Sequence, residues 1–183
     1  RTLSRRWPDV ESEVVDKSPV EGILGEAERL RADVVVVGWR GHGVARRLLM
    51  GSVSRGVVRG ATSAVLVVRR SQRVRKIVVG VDGSPTSKRA LALIGRLAAP
   101  RDGHVILVSG VELMSTPSRG RVPGAAAIAR EIRRANTMRS RTATKELNRA
   151  AAGLKRSGWP TRTVLVHGEP LRDLLGAVAS ARA

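Results

Sequence analysis

What most restricts this chain is that it repeats itself. Pro19-Val20-Glu21-Gly22-Ile23-Leu24-Gly25 returns as Pro170-Leu171-Arg172-Asp173-Leu174-Leu175-Gly176, 151 residues later. Val15 pairs with Val166 at the same offset, and Trp7-Pro8 pairs with Trp159-Pro160 at 152, one residue out of register. A Trp-Pro pair, a strand candidate and a helix start in one order are more than a single chance match. A period near 150 residues is an ordinary domain length, so 183 residues hold one period and the beginning of another. A circularly permuted single domain would not repeat its strand and its helix. The chain is therefore expected to start inside one domain and stop inside the next, with the native protein extending at both ends. Residues 1–70 form the C-terminal half of the first domain on this reading, and 76–183 the N-terminal part of the second.

Local patterns supply the elements. Glu11 to Val15 reads as a strand, and Pro19 opens a helix whose apolar positions recur at Val20, Ile23, Leu24, Ala27 and Leu30. Val34 to Val37 is a run of β-branched residues that predicts a strand buried on both faces. A glycine-bearing loop from Gly38 to Gly51 leads into a short helix near Ser52, and Ala64 to Val68 is another buried strand. After a charged linker the pattern restarts with a strand at Ile77 to Val81, a turn at Asp82-Gly83-Ser84-Pro85 and a helix ended by Pro100. A strand at Val105 to Val108, a Pro/Gly/Ser-rich loop at Ser115 to Gly124 and a long basic helix at Ala125 to Arg156 come next. Thr163 to Val166 is the last strand, and a helix begins at Pro170. Strands alternating with helices at this spacing require βαβ crossovers, hence an α/β fold with an open, mostly parallel sheet and helices on both faces.

Composition narrows the chemistry. With three Trp and no Phe or Tyr, the core must be built from Val, Leu, Ile and Ala. Cys is absent, which excludes disulfides, thiolate catalysis and cysteine-bound zinc, and fits a cytoplasmic location. No apolar run is long enough to span a bilayer, so no membrane partner is expected. The net charge of +19 would attract polyanions. Arg outnumbers Lys by 29 to 5 amid abundant Ala, Gly and Val, which is also the mark of GC-rich codon usage. Without a helix-turn-helix, zinc finger or aromatic platform, any nucleic-acid binding is expected to be weak and non-specific. Its place would be Arg119 to Arg156, where eleven basic residues face only Glu131 and Glu146.

The segment Gly38-Trp39-Arg40-Gly41-His42-Gly43 through Gly51-Ser52 joins a buried strand to a helix start. Open α/β sheets bind ligands at the carboxyl ends of their strands. Glycines there allow backbone to approach phosphate, and Gly51 and Ser52 offer amides and a hydroxyl at a helix N-terminus, where the dipole favours an anion. Val44 and Ala45 stand where a Walker loop needs Lys and Ser/Thr, and no G-x-G-x-x-G opens the helix. Spacing alone leaves open a loop whose glycines only make turns. Asp82 is open in the same way, between a ligand contact and an Asx turn in Asp-Gly-Ser-Pro. His104 and His167 flank strands, and no cluster of His or carboxylates suggests a metal or a hydrolytic pair.

These motifs resemble a known family. Val34 to Val37, then Gly38-x2-Gly41-x9-Gly51-Ser52-Val53, then Ala64 to Val68 are similar to the nucleotide-binding half of a universal stress protein domain. Ile77 to Ser84 with its Ala/Leu-rich helix resembles the family's N-terminal half, so the two resemblances cover nearly the whole chain. The resemblance implies a Rossmann-like, adenine-nucleotide α-hydrolase-like sheet in the order third-second-first-fourth-fifth strand. It implies ATP as ligand, held by Val37, Gly38, Arg40, Gly41, Gly51, Ser52 and Val53 at the loop and by Asp82 at the adenosine. It implies binding in stress response or signalling without catalysis, and pairing as a homo-oligomer or an intramolecular tandem. His42 lies two residues beyond the position of Arg40, where the family often has its His. The alternative function is a basic nucleic-acid-associated protein using 119–156. A pyrophosphatase-type enzyme of the related folds would need a Ser-Gly-Gly-rich loop, which Asp82-Gly83-Ser84-Pro85 does not supply.

Overall fold

The computed structural model describes residues 9–39, 50–69, 74–116, 124–168 and 176. The chain divides into two compact units, Arg1–Gln72 and Arg73–Ala183. In the first, α1 (Pro19–Arg29), β1 (Val34–Gly38), α2 (Ser52–Gly60) and β2 (Ala64–Val68) follow one another. β1 and β2 pair in parallel with Val34 opposite Ala64 and Gly38 opposite Val68. In the second, β3 (Lys76–Gly80), α3 (Pro85–Arg96), β4 (His104–Val111), α4 (Ala125–Arg156) and β5 (Thr161–His167) form a three-stranded parallel sheet in the order β3-β4-β5. The sequence resemblance implies one sheet in the order third-second-first-fourth-fifth strand; the described strands form these two separate parallel sheets.

Each element follows from its residues. Pro19 and Pro85 sit in the first turns of α1 and α3, where a missing N–H is no loss. Ser84 caps α3 by accepting a hydrogen bond from the Ser87 N–H at 3.1 Å. Gly124, with φ +83, leads into α4, and Gly158, also at φ +83, turns the chain out of it. Val105 and Leu107 on the central strand β4 are wholly buried, and pack with Val79, Ile94, Leu147 and Leu154 from β3, α3 and α4. Trp159 completes this core. Its indole N–H donates to the carbonyls of Ile94 and Leu97 at 2.9 and 3.1 Å, satisfying the C-terminal end of α3. In the first unit α1 packs on α2, and Val57 of α2 is wholly buried.

Three differences from the sequence-based expectations are informative. Residues 11–15 are not a strand: Val14 is fully exposed, and Glu13 instead pairs with Arg29 at 3.1 Å. A strand needs a ladder partner, and among the described residues none is offered to this segment as β4 is offered to β5. β1 is not buried on both faces, since Val36 is 60% exposed while Val35 is buried. Among the described residues only one face of the β1–β2 pair is covered. β5 begins two residues earlier than Thr163, because Trp159-Pro160 delivers the chain directly into the ladder at Val105. The helix expected from Pro170, and the middle of the loops at 40–49 and 117–123, lie outside the described residues.

Candidate functional site: the carboxyl ends of the parallel strands

In the first unit the ladder continues past the ends of β1 and β2, with the Trp39 N–H donating to the Val68 carbonyl at 2.7 Å. Two further bonds close the base of the glycine loop. The Gly51 N–H donates to the Trp39 carbonyl at 2.9 Å, and the buried Ser54 hydroxyl donates to the Gly38 carbonyl at 2.6 Å. Together they clasp the start of α2 to the end of β1. Gly51 occupies the cap position of α2 with φ −59 and ψ 152, a conformation open to any residue. The first-turn amides of α2 have no intrahelical partner, no side chain among the described residues caps them, and the Ser52 side chain is exposed beside them. Val37 is half-buried on β1, and Val53 lies half-buried in the first turn of α2. Arg40 and Gly41 lie outside the described residues.

Two features here carried no sequence signal. Ser54, not Ser52, reaches back to the strand; the sequence offers both serines, and only the helical phase distinguishes them. Trp39 holds the Arg69 guanidinium 5.2 Å from its ring centroid, a cation–π distance, and its indole N–H is buried without a partner among the described residues.

Asp82 belongs to the other compact unit. It follows β3, whose ladder also runs on, with the Val81 N–H donating to the Val108 carbonyl at 2.8 Å. One Asp82 carboxylate oxygen accepts from the Ser84 N–H at 2.9 Å, which makes an Asx turn. Gly83 sits at φ +78, where a side chain would strain the turn. Hydrogen bonding from the Ser84 side chain, then from its backbone and from Ser87, holds the Asp82 carboxyl below the usual carboxylate range. The residue is exposed and lines a cavity of about 440 Å³ together with Ser109, Gly110, Arg139 and Glu146. Of the sequence-derived site residues, the structure thus brings Gly38 and Gly51–Val53 together at one strand end, and sets Asp82 at an equivalent strand end of the other unit.

Parallel strands joined through helices, with hydrogen bonds tying the helix start at Gly51 to one strand end and an Asx-turn aspartate at another, define an α/β protein of the Rossmann-like kind. The profile of the Universal stress protein family matches residues 1–69 and 73–183. The chain belongs to that family. A universal stress protein of Mycobacterium tuberculosis is 35% identical over 117 residues, covering 59% of this chain and 39% of the relative. One from Methanocaldococcus jannaschii is 33% identical over 74 residues, covering 40% of this chain and 44% of its own length. The chain thus matches about two fifths of these relatives' lengths. The crystal structure of a universal stress protein from Archaeoglobus fulgidus aligns over 100% of this chain and 60% of its own, with a TM-score of 0.59 and 16% identity, a likeness of fold. No described helix is long and apolar enough to cross a membrane.

Proposed function

We propose that this chain carries the C-terminal half of one universal stress protein domain (1–70) and the N-terminal part of the next (76–183), each contributing part of an ATP site. ATP acts by binding, altering conformation or assembly in a stress response, and the chain need not turn it over. The observation that carries this reading is the clasp. Hydrogen bonds from Gly51 to Trp39 and from Ser54 to Gly38 hold the first-turn amides of α2, uncapped by any side chain among the described residues, beside the carboxyl end of a parallel strand. There the helix dipole, the exposed Ser52 hydroxyl and side-chain-free backbone suit phosphate oxygens. Asp82, kept ionised by its Asx turn and open to a cavity, suits the hydroxyls of a ribose.

The test is titration calorimetry with ATP and AMP on a protein extended upstream, so that the glycine loop and a first-strand aspartate share one sheet. ATP should bind more tightly than AMP. Ser52→Ala should weaken ATP by about 1–2 kcal/mol, the scale of one hydrogen bond to a charged group. Gly51→Val should abolish binding with the fold intact. Since φ −59 suits valine, the loss would report crowding of the phosphate approach and not backbone strain. Equal affinity for AMP and ATP, or unchanged ATP affinity in Gly51→Val, would show that the loop is only a turn.

A further inference from the structure

The outward face of α4 belongs to no part of the nucleotide reading. This 32-residue helix buries Leu147, Ala151 and Leu154 against its sheet and carries nine basic residues, all exposed, against two acidic ones. At 100° per residue, Arg130, Arg134, Arg141, Lys145 and Arg156 fall within one sector of about 80°. From Arg130 to Arg156 the stripe runs about 39 Å, at 1.5 Å per residue. Two basic side chains outside α4 meet carboxylates, Arg29 with Glu13 at 3.1 Å and Arg75 with Asp102 at 2.9 Å. On this stripe the one ion pair among the described residues is Arg134 with Glu131, at 3.5 Å and exposed. At mid-helix a cavity of about 660 Å³ is lined by Arg141, Lys145 and Asn148 among other polar groups, and by no carboxylate. Thr137 and Thr144 donate their hydroxyls to the carbonyls of Arg133 and Ser140, and Ser140 pairs with His167. The groups left to meet a ligand are therefore the guanidinium, the ammonium and the amide.

We propose that this face of α4 docks along the phosphodiester backbone of duplex nucleic acid without reading its sequence. A linear array of cations, of which only Arg134 meets a carboxylate among the described residues, fits a regular line of phosphates. Its 39 Å lies alongside roughly one turn of duplex, about 34–36 Å. A single strand would want stacking platforms, yet residues 73–183 contain no Phe or Tyr and a single Trp, Trp159, which is buried. An anionic membrane would want an apolar face to insert, and the apolar side of α4 is spent on the core.

The test is fluorescence anisotropy of a labelled mixed-sequence 20-base-pair duplex with the whole 183-residue chain, between about 50 and 200 mM NaCl. Four engaged cations should give a slope of log K against log salt of about −3.6, a roughly 100-fold loss of affinity across that range. Arg141→Gln with Lys145→Gln should lower the slope's magnitude by about 2. Glutamine keeps helix propensity, so circular dichroism should be unchanged. A control pair off the stripe, Arg89→Gln with Arg101→Gln, should leave the slope nearly unaltered. No binding at 50 mM salt, an equal effect of the control pair, or tighter binding to phosphatidylserine vesicles than to duplex would each overturn the proposal. Because none of these substitutions touches the Gly38–Ser52 loop, ATP affinity reports on the nucleotide reading independently.

Discussion

At the scale of single residues, the small hydroxyls do the structural work around the strand ends. Ser54 is buried, and its bond to Gly38 is the only one in which a side chain ties α2 to β1 among the described residues. Ser54→Ala would leave the Gly38 carbonyl short of this partner. We expect a loss of about 1–2 kcal/mol in the stability of this clasp, read as faster hydrogen exchange at the Gly51 amide. Unchanged exchange would show that the Gly51–Trp39 bond closes the loop alone. Asp82 makes a different statement. Its carboxyl titrates below its ordinary value near 4 because Ser84 and Ser87 favour the ionised form. The sign follows from the depressed folded value: the turn's extra stability is fully present above pH about 4 and disappears as pH falls through the lower folded pKa. Denaturation of Asp82→Asn at pH 6 and at pH 3 should therefore show a smaller difference between the two than the parent shows. An equal difference would mean that the carboxylate is not preferentially ionised in the fold.

At the scale of elements, α1 and α2 approach so closely that two glycines face two branched side chains. A Cβ on Gly56 would lie 2.8 Å from Val20 Cγ2, and one on Gly60 would lie 2.6 Å from Leu24 Cδ1. Gly56 and Gly60 are one helical turn apart, as are Val20 and Leu24, so the ridge of α1 seats in a groove that α2 leaves bare. In Gly56→Ala the helix gains about 1 kcal/mol of propensity, but the new methyl meets a valine that is stiff at χ1. The overlap should outweigh the gain, overpacking being worth about 1–3 kcal/mol. In the Val20→Ala background the same change should be neutral or stabilising, a coupling that a double-mutant cycle followed by exchange of α2 amides would measure. Additive effects would place the helices further apart.

The sequence made this pair of helices legible but not their contact. Pro19 and the apolar spacing after it announce α1, whereas nothing in Gly-x3-Gly says which neighbour comes close. The β-branched runs at 34–37, 64–68 and 105–108 likewise emerge as strands, and Ala125 to Arg156 as a helix with those very ends. Their local pattern and their tertiary setting agree. Residues 11–15 have the composition of a strand and no ladder to join, so propensity without a partner decided nothing there. The candidate site divides along the same line. Glycine spacing and the Asp-Gly-Ser-Pro turn were visible as motifs, while the Ser54 clasp, the φ of Gly51 and the indole of Trp39 depend on phase and packing that spacing does not encode.

At the scale of the whole molecule, charge is the property that no local rule explains. A net charge of +19 on 183 residues must repel itself in the compact state. The described ion pairs do little to offset this. Arg29 with Glu13 and Glu26, Arg75 with Asp102 and Arg134 with Glu131 join side chains that are mostly solvent-exposed. Such pairs are each worth about 0–1 kcal/mol. Added salt weakens both terms, but not equally. A contact pair at 3 Å lies well inside the Debye length, whereas repulsion spread over the molecule acts across tens of ångströms. That length falls from about 30 Å at 0.01 M to about 8 Å at 0.15 M. Screening should therefore remove more repulsion than attraction, and the melting temperature should rise by a few degrees over that range of NaCl. A scan with sodium chloride alone measures it, and sulfate must be avoided because it stabilises burial by a separate route. A melting temperature that fell instead would mean that short-range pairing outweighs the net charge, and that the arginines were placed for the fold and not merely carried on its surface.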